Sequence, residues 1–271
     1  MSRVRVGELE IDYEMRGQGP PLIMITGFRR SRVIWGDAFL VPLARHFTLI
    51  LPDNRGTGQS DKPRGGYSIE AFADDAAGLL EALQIGPAHA FGVSMGGMIV
   101  QRLAFRHAKR VRGLAIGCSN AGGDAVVPPE KEIWNLLQLL PDESMDAREV
   151  ARRQEEAYYT EPFRASQREL IDEQFRAVNE HPTPDFAVQG HLKAIEDFDG
   201  AGALEEISAP TLVITGDSDR LIVPDNSRYL AGRIPNAQLS ILSGTAHFFW
   251  VEKPEESTQR LIDFFTGLGG E

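Results

Sequence analysis

The sequence predicts an α/β fold: a mostly parallel twisted sheet with helices on both faces and a helical cap inserted before the last two strands. Short apolar, β-branched runs alternate with helical patterns, which is typical of parallel strands joined by crossover helices. Between residues 121 and 203 the strand-like runs stop, and only helical patterns remain. We therefore predict a core formed by residues 1–120 and 204–271 and a cap formed by residues 121–203.

The predicted strands differ in how their faces should be covered. Leu22–Thr26 and Leu212–Thr215 open with continuous apolar runs, as expected of strands buried on both faces. Leu9–Met15 contains apolar residues that alternate with charged ones, which favours an antiparallel edge strand. The other predicted strands are Thr48–Leu51, His89–Val93, Gly113–Gly117 and Gln238–Leu242.

Helical periodicity identifies four core helices and about four cap helices. The core helices are predicted at Ile69–Leu83 (with Ser68 as N-cap), Met95–Arg106, Asn226–Ala231 and Glu255–Phe265. Prolines divide the cap at Pro128, Pro129, Pro141, Pro162, Pro182 and Pro184. Its expected apolar faces are Ile133, Trp134, Leu136, Leu137 and Leu140, followed by Leu170, Ile171, Phe175 and Val178.

Composition narrows the class of partner. The 271-residue chain has a net charge of −11, which argues against nucleic acid and anionic membranes as general partners. The expectation of a small-molecule substrate comes from the motifs described below. No metal-ligand cluster or phosphate-binding loop is evident, so we expect no cofactor.

Cys118 is the only cysteine, which excludes an internal disulfide, and the N-terminus lacks the apolar stretch of a signal peptide. We therefore expect a cytoplasmic protein, with the oligomeric state open and a homodimer among the options.

The segment Gly92–Gly96 provides the strongest functional motif. An apolar run leads into it and a helical pattern follows it, so Ser94 should lie at a sharp strand-to-helix turn. Such a turn exposes the hydroxyl, and the flanking glycines let strand and helix approach closely. We predict that Ser94 is a nucleophile, although a serine in a Gly-rich turn without chemistry is the alternative.

A serine nucleophile needs a base, and a histidine base is oriented by a carboxylate. His247 lies in the loop after the last predicted strand, from which it can reach the carboxyl edge of the sheet. We interpret His46, His89 and His107 as core or surface residues. Asp219, in the loop after the Leu212–Thr215 strand, is the preferred acid, and the alternatives are Asp217 and Asp124.

The same reasoning predicts an oxyanion hole. The backbone N–H of Met95 starts the helix after Ser94, and that of Phe28 follows Gly27 at the end of another strand. Backbone donors fixed by turns need no reorganisation as negative charge develops. An ordinary strand-to-helix turn at Gly27 is the alternative.

These residues together give the chain a clear resemblance to the α/β-hydrolase fold family. The resemblance is carried by Gly27-Phe28, Asp53–Ser60, Gly92–Gly97, Gly216–Asp219 and Gly244–His247. It implies a Ser94–Asp219–His247 triad and resembles small cofactor-free esterases, enol-lactone hydrolases, C–C hydrolases and metal-free haloperoxidases. Members commonly have His-Gly before the oxyanion residue, whereas this chain has Thr26-Gly27, which affects the support of that loop.

Pocket residues are predicted next to this machinery. Arg29, Arg30 and Arg32 form a basic cluster directly after Phe28. Either one of these arginines enters the pocket and pairs with a substrate carboxylate, or all are solvated residues of a loop with partners on the cap. Further candidate substrate contacts are Trp134, His191 and Phe248.

The leading functional hypothesis is a serine hydrolase that cleaves a small carboxylic ester or lactone through an acyl-enzyme. One alternative keeps the triad but hydrolyses a C–C bond of an oxo-acid. A second alternative, from a different class, is a ligand receptor of the hydrolase fold with slow turnover.

Overall fold

The computed structural model describes residues 2–140 and 144–269, so the predicted break at Pro141 lies outside the described residues. Within these ranges the chain forms eight strands and eleven α-helices. The strands are β1 (Ser2–Val6), β2 (Leu9–Arg16), β3 (Pro21–Ile25), β4 (Thr48–Pro52), β5 (Ala88–Val93), β6 (Val111–Gly117), β7 (Thr211–Gly216) and β8 (Ala237–Leu242). The helices are α1 (Asp37–Ala44), α2 (Ile69–Ala82), α3 (Met95–Arg106), α4 (Lys131–Gln138), α5 (Ala147–Tyr158), α6 (Glu161–Ser166), α7 (Arg168–Asn179), α8 (Asp185–Glu196), α9 (Pro224–Arg233), α10 (Phe249–Glu252) and α11 (Pro254–Gly267).

All the strands of the described chain belong to one sheet, in the order β1-β2-β4-β3-β5-β6-β7-β8. The β1–β2 and β2–β4 pairs are antiparallel, and every later pair is parallel. After β4 the chain crosses to the other side of β3 to form β5, which makes a topological switch between β3 and β5. Ligands of open α/β sheets bind at the carboxyl ends of strands next to such a switch. The predicted fold class is confirmed.

The edge of the sheet differs from the prediction. β2 is antiparallel, as expected, but it is not the edge strand, because β1 pairs outside it from Ser2↔Tyr13 to Val6↔Leu9. The short Ser2–Val6 segment carries only two apolar residues, so its pattern is too brief to predict a strand from sequence. Helix α1 was also not predicted, and Pro42 lies inside it.

The centre of the sheet is covered on both faces. Leu22, Ile23 and Met24 of β3 are completely buried, as their continuous apolar run predicts. Helices α2 and α3 pack against each other, and α1 packs against α11. The predicted N-cap of α2 is confirmed, because the Ser68 side chain accepts a hydrogen bond from the Ala71 N–H.

The described residues of the predicted cap, 121–140 and 144–203, form five α-helices, α4–α8, rather than about four. The additional boundary lies at Gln167, which separates α6 from α7 through its non-helical backbone conformation and not through a proline. One predicted apolar face is partly wrong, since Leu170 is 37% exposed whereas Ile171 and Val178 are buried. None of the helices in residues 2–140 and 144–269 combines the length and hydropathy that crossing a bilayer requires.

Candidate active site

Ser94 lies alone in the turn between β5 and α3. Its φ of 57° is in the left-handed region, which costs energy for a residue with a side chain. A Cβ on Gly92 would come within 2.1 Å of the Gly96 carbonyl oxygen, and a Cβ on Gly96 within 2.2 Å of the Ile25 oxygen. Both positions therefore require glycine, and the strand and helix can meet at an angle that exposes Ser94.

Hydrogen bonds to β6 and to its following loop fix this turn. The Ser94 N–H donates to the Gly117 oxygen at 2.9 Å. The Ser94 carbonyl oxygen accepts from the Gly97 N–H at 2.9 Å and from the Ser119 hydroxyl at 2.8 Å. With its main chain held on both sides, Ser94 keeps its strained conformation, and its side chain remains half-buried at the wall of two cavities.

His247 and Asp219 form a buried pair at the same edge of the sheet. His247 Nδ1 lies 2.8 Å from Asp219 Oδ2, and both residues are almost fully buried. Because a carboxylate can only accept, Nδ1 carries the proton, and in the neutral ring Nε2 is the nitrogen that can accept one. Asp219 Oδ1 accepts the N–H groups of Leu221 and Ile222, each at 2.9 Å, which fixes the carboxylate. The alternative acids are placed differently: Asp217 bonds to Ser218 and Gly244, and Asp124 is exposed.

The electrostatics of this pair favour a basic imidazole. Burial alone would lower the pKa of His247, but the charge of Asp219, followed by the interaction with Cys118 and the hydrogen bond to Asp219, raises that pKa well above its usual value. Burial raises the pKa of the neighbouring Cys118, which keeps the thiol protonated. Cys118, Asp219 and His247 have potential metal-ligand atoms within 4.8 Å of one another. Both Asp219 oxygens already accept protein hydrogen bonds, so this trio makes a poor metal site.

Two cavities meet at Ser94. The narrow one, about 20 Å³, is lined by Ser94 together with His247, Arg30, Tyr158, Phe248 and Trp250. The wide one, about 360 Å³, is mostly apolar and is lined by Ser94 together with Met95, Met98, Val127, Trp134 and Ile222. No hydrogen bond between the Ser94 hydroxyl and the His247 ring is recorded for these described residues. Such contacts are often long in ligand-free enzymes and tighten when substrate binds.

The two predicted oxyanion donors lie beside these cavities. Phe28 lines both cavities, and its backbone N–H has no acceptor among the described residues. Met95 is the first residue of α3, so its N–H has no partner within the helix. The amides of Phe28 and Met95 therefore remain available to an oxygen bound near Ser94.

The sequence predicts that His191 contacts the substrate, but the structure places His191 outside the walls of both cavities at Ser94. Its ring is completely buried in α8 and is not on the recorded lining of either cavity at Ser94. Nδ1 accepts the Arg29 N–H at 3.3 Å, and Nε2 faces the Arg55 carbonyl oxygen at 3.0 Å as a donor. His191 therefore joins the cap to the loop that carries the Phe28 amide, and this role requires the neutral ring.

Acid should weaken the contact made by His191. Burial lowers the pKa of His191 to about 4, against 6.5 in an unfolded chain. As the pH falls, His191 is protonated in the unfolded chain before it is protonated in the folded one. The free energy of unfolding is therefore greatest above pH 6.5 and decreases as the pH falls toward 4. The loss amounts to about 3 kcal/mol for this residue.

Urea unfolding measured from pH 7 to pH 4.5 checks this expectation. In His191→Gln the decline of unfolding free energy with falling pH should be shallower than in the wild type. His46→Gln is the matched control, because His46 is exposed. Equal slopes in the wild type and His191→Gln would show that His191 does not titrate on unfolding.

The basic cluster divides into two parts. Arg32 is buried and ion-paired with Asp12 and Asp53, so the expectation of a solvated loop arginine is wrong for this residue. Arg29 and Arg30 are only half-buried, and both line a polar cavity of about 150 Å³ between core and cap.

Glu252 is a site-supporting residue that the sequence analysis missed. Its carboxylate accepts the Ala246 N–H next to His247. It also accepts the N–H and the hydroxyl of Thr160 in the cap, each at 2.8 Å. Glu252 thus ties the His247 loop to the cap, and no local pattern in the sequence could have indicated these distant partners.

Several hydrolases are similar to this chain. A protein of Azorhizobium caulinodans, provisionally named a carbamate hydrolase, is 28% identical over 258 residues, covering 95% of this chain and 96% of that protein. The 2-hydroxymuconate semialdehyde hydrolase of Pseudomonas sp. strain CF600 is 32% identical over 258 residues, covering 92% of this chain and 87% of that protein. A thermophilic esterase of Thermogutta terrifontis, solved with malate bound, superposes with a TM-score of 0.86 at 26% identity and full coverage of both chains.

The family match extends beyond individual relatives. Residues 20–254 match the family model described as the alpha/beta hydrolase fold. This range runs from the strand before Phe28 to the first residue of α11, and it includes the Ser94 turn and the His247 loop. The chain belongs to the α/β-hydrolase fold family.

Proposed function

We propose that this protein is a serine hydrolase that cleaves a small carboxylic ester or lactone through an acyl-enzyme. The observation that carries the proposal is the buried 2.8 Å contact between His247 and Asp219 at a cavity that His247 shares with Ser94. This arrangement supplies a nucleophile, a base and an orienting carboxylate in one place.

Acylation would begin at the Ser94 hydroxyl. His247 Nε2 takes the hydroxyl proton as Ser94 Oγ bonds to the carbonyl carbon, and the carbonyl oxygen becomes an oxyanion held by the Phe28 and Met95 amides. The bond to the leaving oxygen then breaks, and His247 returns the proton to that oxygen. Asp219 stabilises the imidazolium between these two transfers.

Deacylation repeats the cycle with water. His247 takes a proton from water as its oxygen attacks the acyl carbon, and Ser94 leaves with that proton. A free acid and the resting enzyme result. Ester and carbamate hydrolysis both transfer an acyl-type group to water, so the names of the esterase and carbamate-hydrolase relatives support this chemistry.

Hydrolysis of a C–C bond in an oxo-acid is the second candidate. It is favoured by the 32% identity with a hydrolase whose name specifies 2-hydroxymuconate semialdehyde, an acidic substrate. Arg29 and Arg30, which form no ion pair within the described residues, also suit an acid, since both line the polar cavity between core and cap and Arg30 lines the narrow one. In this reaction His247 would return its proton to a carbon rather than to an oxygen.

An assay with p-nitrophenyl esters tests the proposed function. We expect repeated turnover, with a burst of p-nitrophenol that matches the enzyme concentration where deacylation is slow. A fluorophosphonate should form a covalent adduct on the peptide that contains Ser94, detected by mass spectrometry. Release of a single equivalent of p-nitrophenol without further turnover would favour the receptor, and the absence of both adduct and release would reject acyl transfer.

A further inference from the structure

We infer that the substrate has an apolar acyl group in the wide cavity and a leaving group whose carboxylate binds Arg30. This inference rests on the proposed function, because it assigns the two sides of the scissile bond to the two cavities at Ser94.

The position of His247 sets the orientation of the substrate. Ser94 lines both cavities, whereas His247 lines the narrow cavity and not the wide one. The leaving oxygen must receive its proton from His247, so the leaving group departs on the side of the narrow cavity. That cavity alone holds about one water molecule, so the rest of the leaving group would extend past Arg30 toward the polar cavity of about 150 Å³, which Arg30 also lines. The acyl group, which stays on Ser94, then occupies the wide cavity.

The narrow cavity has a cation in its wall. The Arg30 guanidinium carbon lies 5.1 Å from the ring centroid of Tyr158 and 5.8 Å from that of Phe248. Within the described chain, the Arg30 guanidinium has no carboxylate within 4 Å, and its buried Nε has no hydrogen-bond partner. Two aromatic faces thus hold a guanidinium whose donors remain available to a bound molecule.

Arg29 adds a second positive charge next to that of Arg30, since both arginines line the polar cavity. Its Nη1 donates to the Leu139 carbonyl oxygen at 3.4 Å, and no recorded ion pair joins it to an acid among the described residues. Burial, followed by the charge of Arg30, lowers the pKa of Arg29. Asp185 lines the same polar cavity, but its opposing effect on Arg29 is smaller than those two.

Arg30 and Arg32 differ in whether an acidic side chain pairs with them, and this difference supports a substrate carboxylate at Arg30. Two residues further along the chain, Arg32 has two buried carboxylate partners. A net charge of −11 means that this chain has acids in excess, yet none is paired with Arg30 in the described residues. Desolvating a cation without a partner is unfavourable, and a bidentate carboxylate would satisfy it.

The wide cavity has the opposite character. Met98, Val126, Trp134 and Ile222 line it, and among the described residues the acid Glu196 is the one charged residue in its wall. An acid disfavours a substrate carboxylate on this side, and a volume of about 360 Å³ suits an apolar acyl chain.

The test uses two hexanoate esters that differ only in leaving-group charge: the ester of glycolic acid and that of glycolamide. The rate at which acid is released gives kcat/KM for each of the two esters. We expect the wild type to prefer the glycolate ester, and Arg30→Gln should reduce this preference about 10- to 100-fold, mainly through KM. Arg30→Lys should retain part of the preference. Arg152 is an exposed arginine of the cap, so the control variant Arg152→Gln should leave the preference unchanged.

A wild-type measurement covers the case in which Arg30→Gln fails to fold. Glycolate should inhibit hydrolysis of p-nitrophenyl hexanoate at least about 10-fold more strongly than glycolamide does. Two results would overturn the inference if Ser94 is still labelled. One is equal inhibition by glycolate and glycolamide, and the other is a preference for the glycolate ester in Arg30→Gln that stays within about twofold of the wild-type preference. If Ser94 is not labelled and neither ester is hydrolysed, the proposed function itself fails.

Discussion

Replacing Ser94 by alanine should lower kcat for an activated ester by about 1,000-fold or more. In the proposed mechanism the substitution removes the atom that bonds to the acyl carbon, so the Phe28 and Met95 amides would stabilise only direct attack by water. Hydrolysis of p-nitrophenyl butyrate, followed at saturating substrate, measures the effect. Fluorophosphonate labelling of the Ser94 peptide should disappear in the same variant.

Ser227→Ala is the matched control for this experiment. Ser227 is a buried serine of α9 whose hydroxyl has no hydrogen-bond partner among the described residues, and it lines neither cavity at Ser94, so the same atom is removed outside the site. Its kcat should stay within about twofold of the wild type. Hydrolysis by Ser94→Ala at a rate close to that of the control would show that another group is the nucleophile.

Local patterns predicted the elements that position the site. The glycines around Ser94 encode the β5–α3 turn within five residues, and the structure places this helix at Met95–Arg106, as predicted. Continuous apolar runs located β3 and β7, because strands buried on both faces need no alternation. The His247–Asp219 contact joins residues 28 positions apart, and it was predictable only because parallel strands end at one edge of the sheet.

Other features depend on partners that no local pattern reveals. Arg30 and Arg32 belong to one basic cluster, yet Arg32 is neutralised by Asp12 of β2 and by Asp53, which directly follows β4. Arg30 forms no ion pair within the described residues. The contacts of His191 with Arg29 and Arg55 likewise join the cap to two core loops more than a hundred residues away. The extra cap helix was missed because its boundary at Gln167 has no proline.

Asp219→Asn should reduce kcat by about 10,000-fold while leaving the fold intact. The Leu221 and Ile222 amides donate to one oxygen of Asp219, so the asparagine carbonyl should keep that position and turn its NH₂ toward His247. An NH₂ group can only donate, which forces His247 Nδ1 to accept and moves the ring proton to Nε2. A protonated Nε2 cannot take the proton of Ser94, so catalysis is lost through the wrong tautomer.

The pH profile distinguishes this mechanism from general damage to the site. Because Asp219 raises the pKa of His247, wild-type kcat/KM should fall with decreasing pH at a midpoint above 6.5. In Asp219→Asn the residual activity should have its midpoint at lower pH, since the charge that favours the imidazolium is gone. Asp217→Asn, the exposed neighbouring acid, should retain both the rate and the wild-type midpoint. If Asp219→Asn and Asp217→Asn gave the same rate and profile, Asp219 would not be the residue that orients His247.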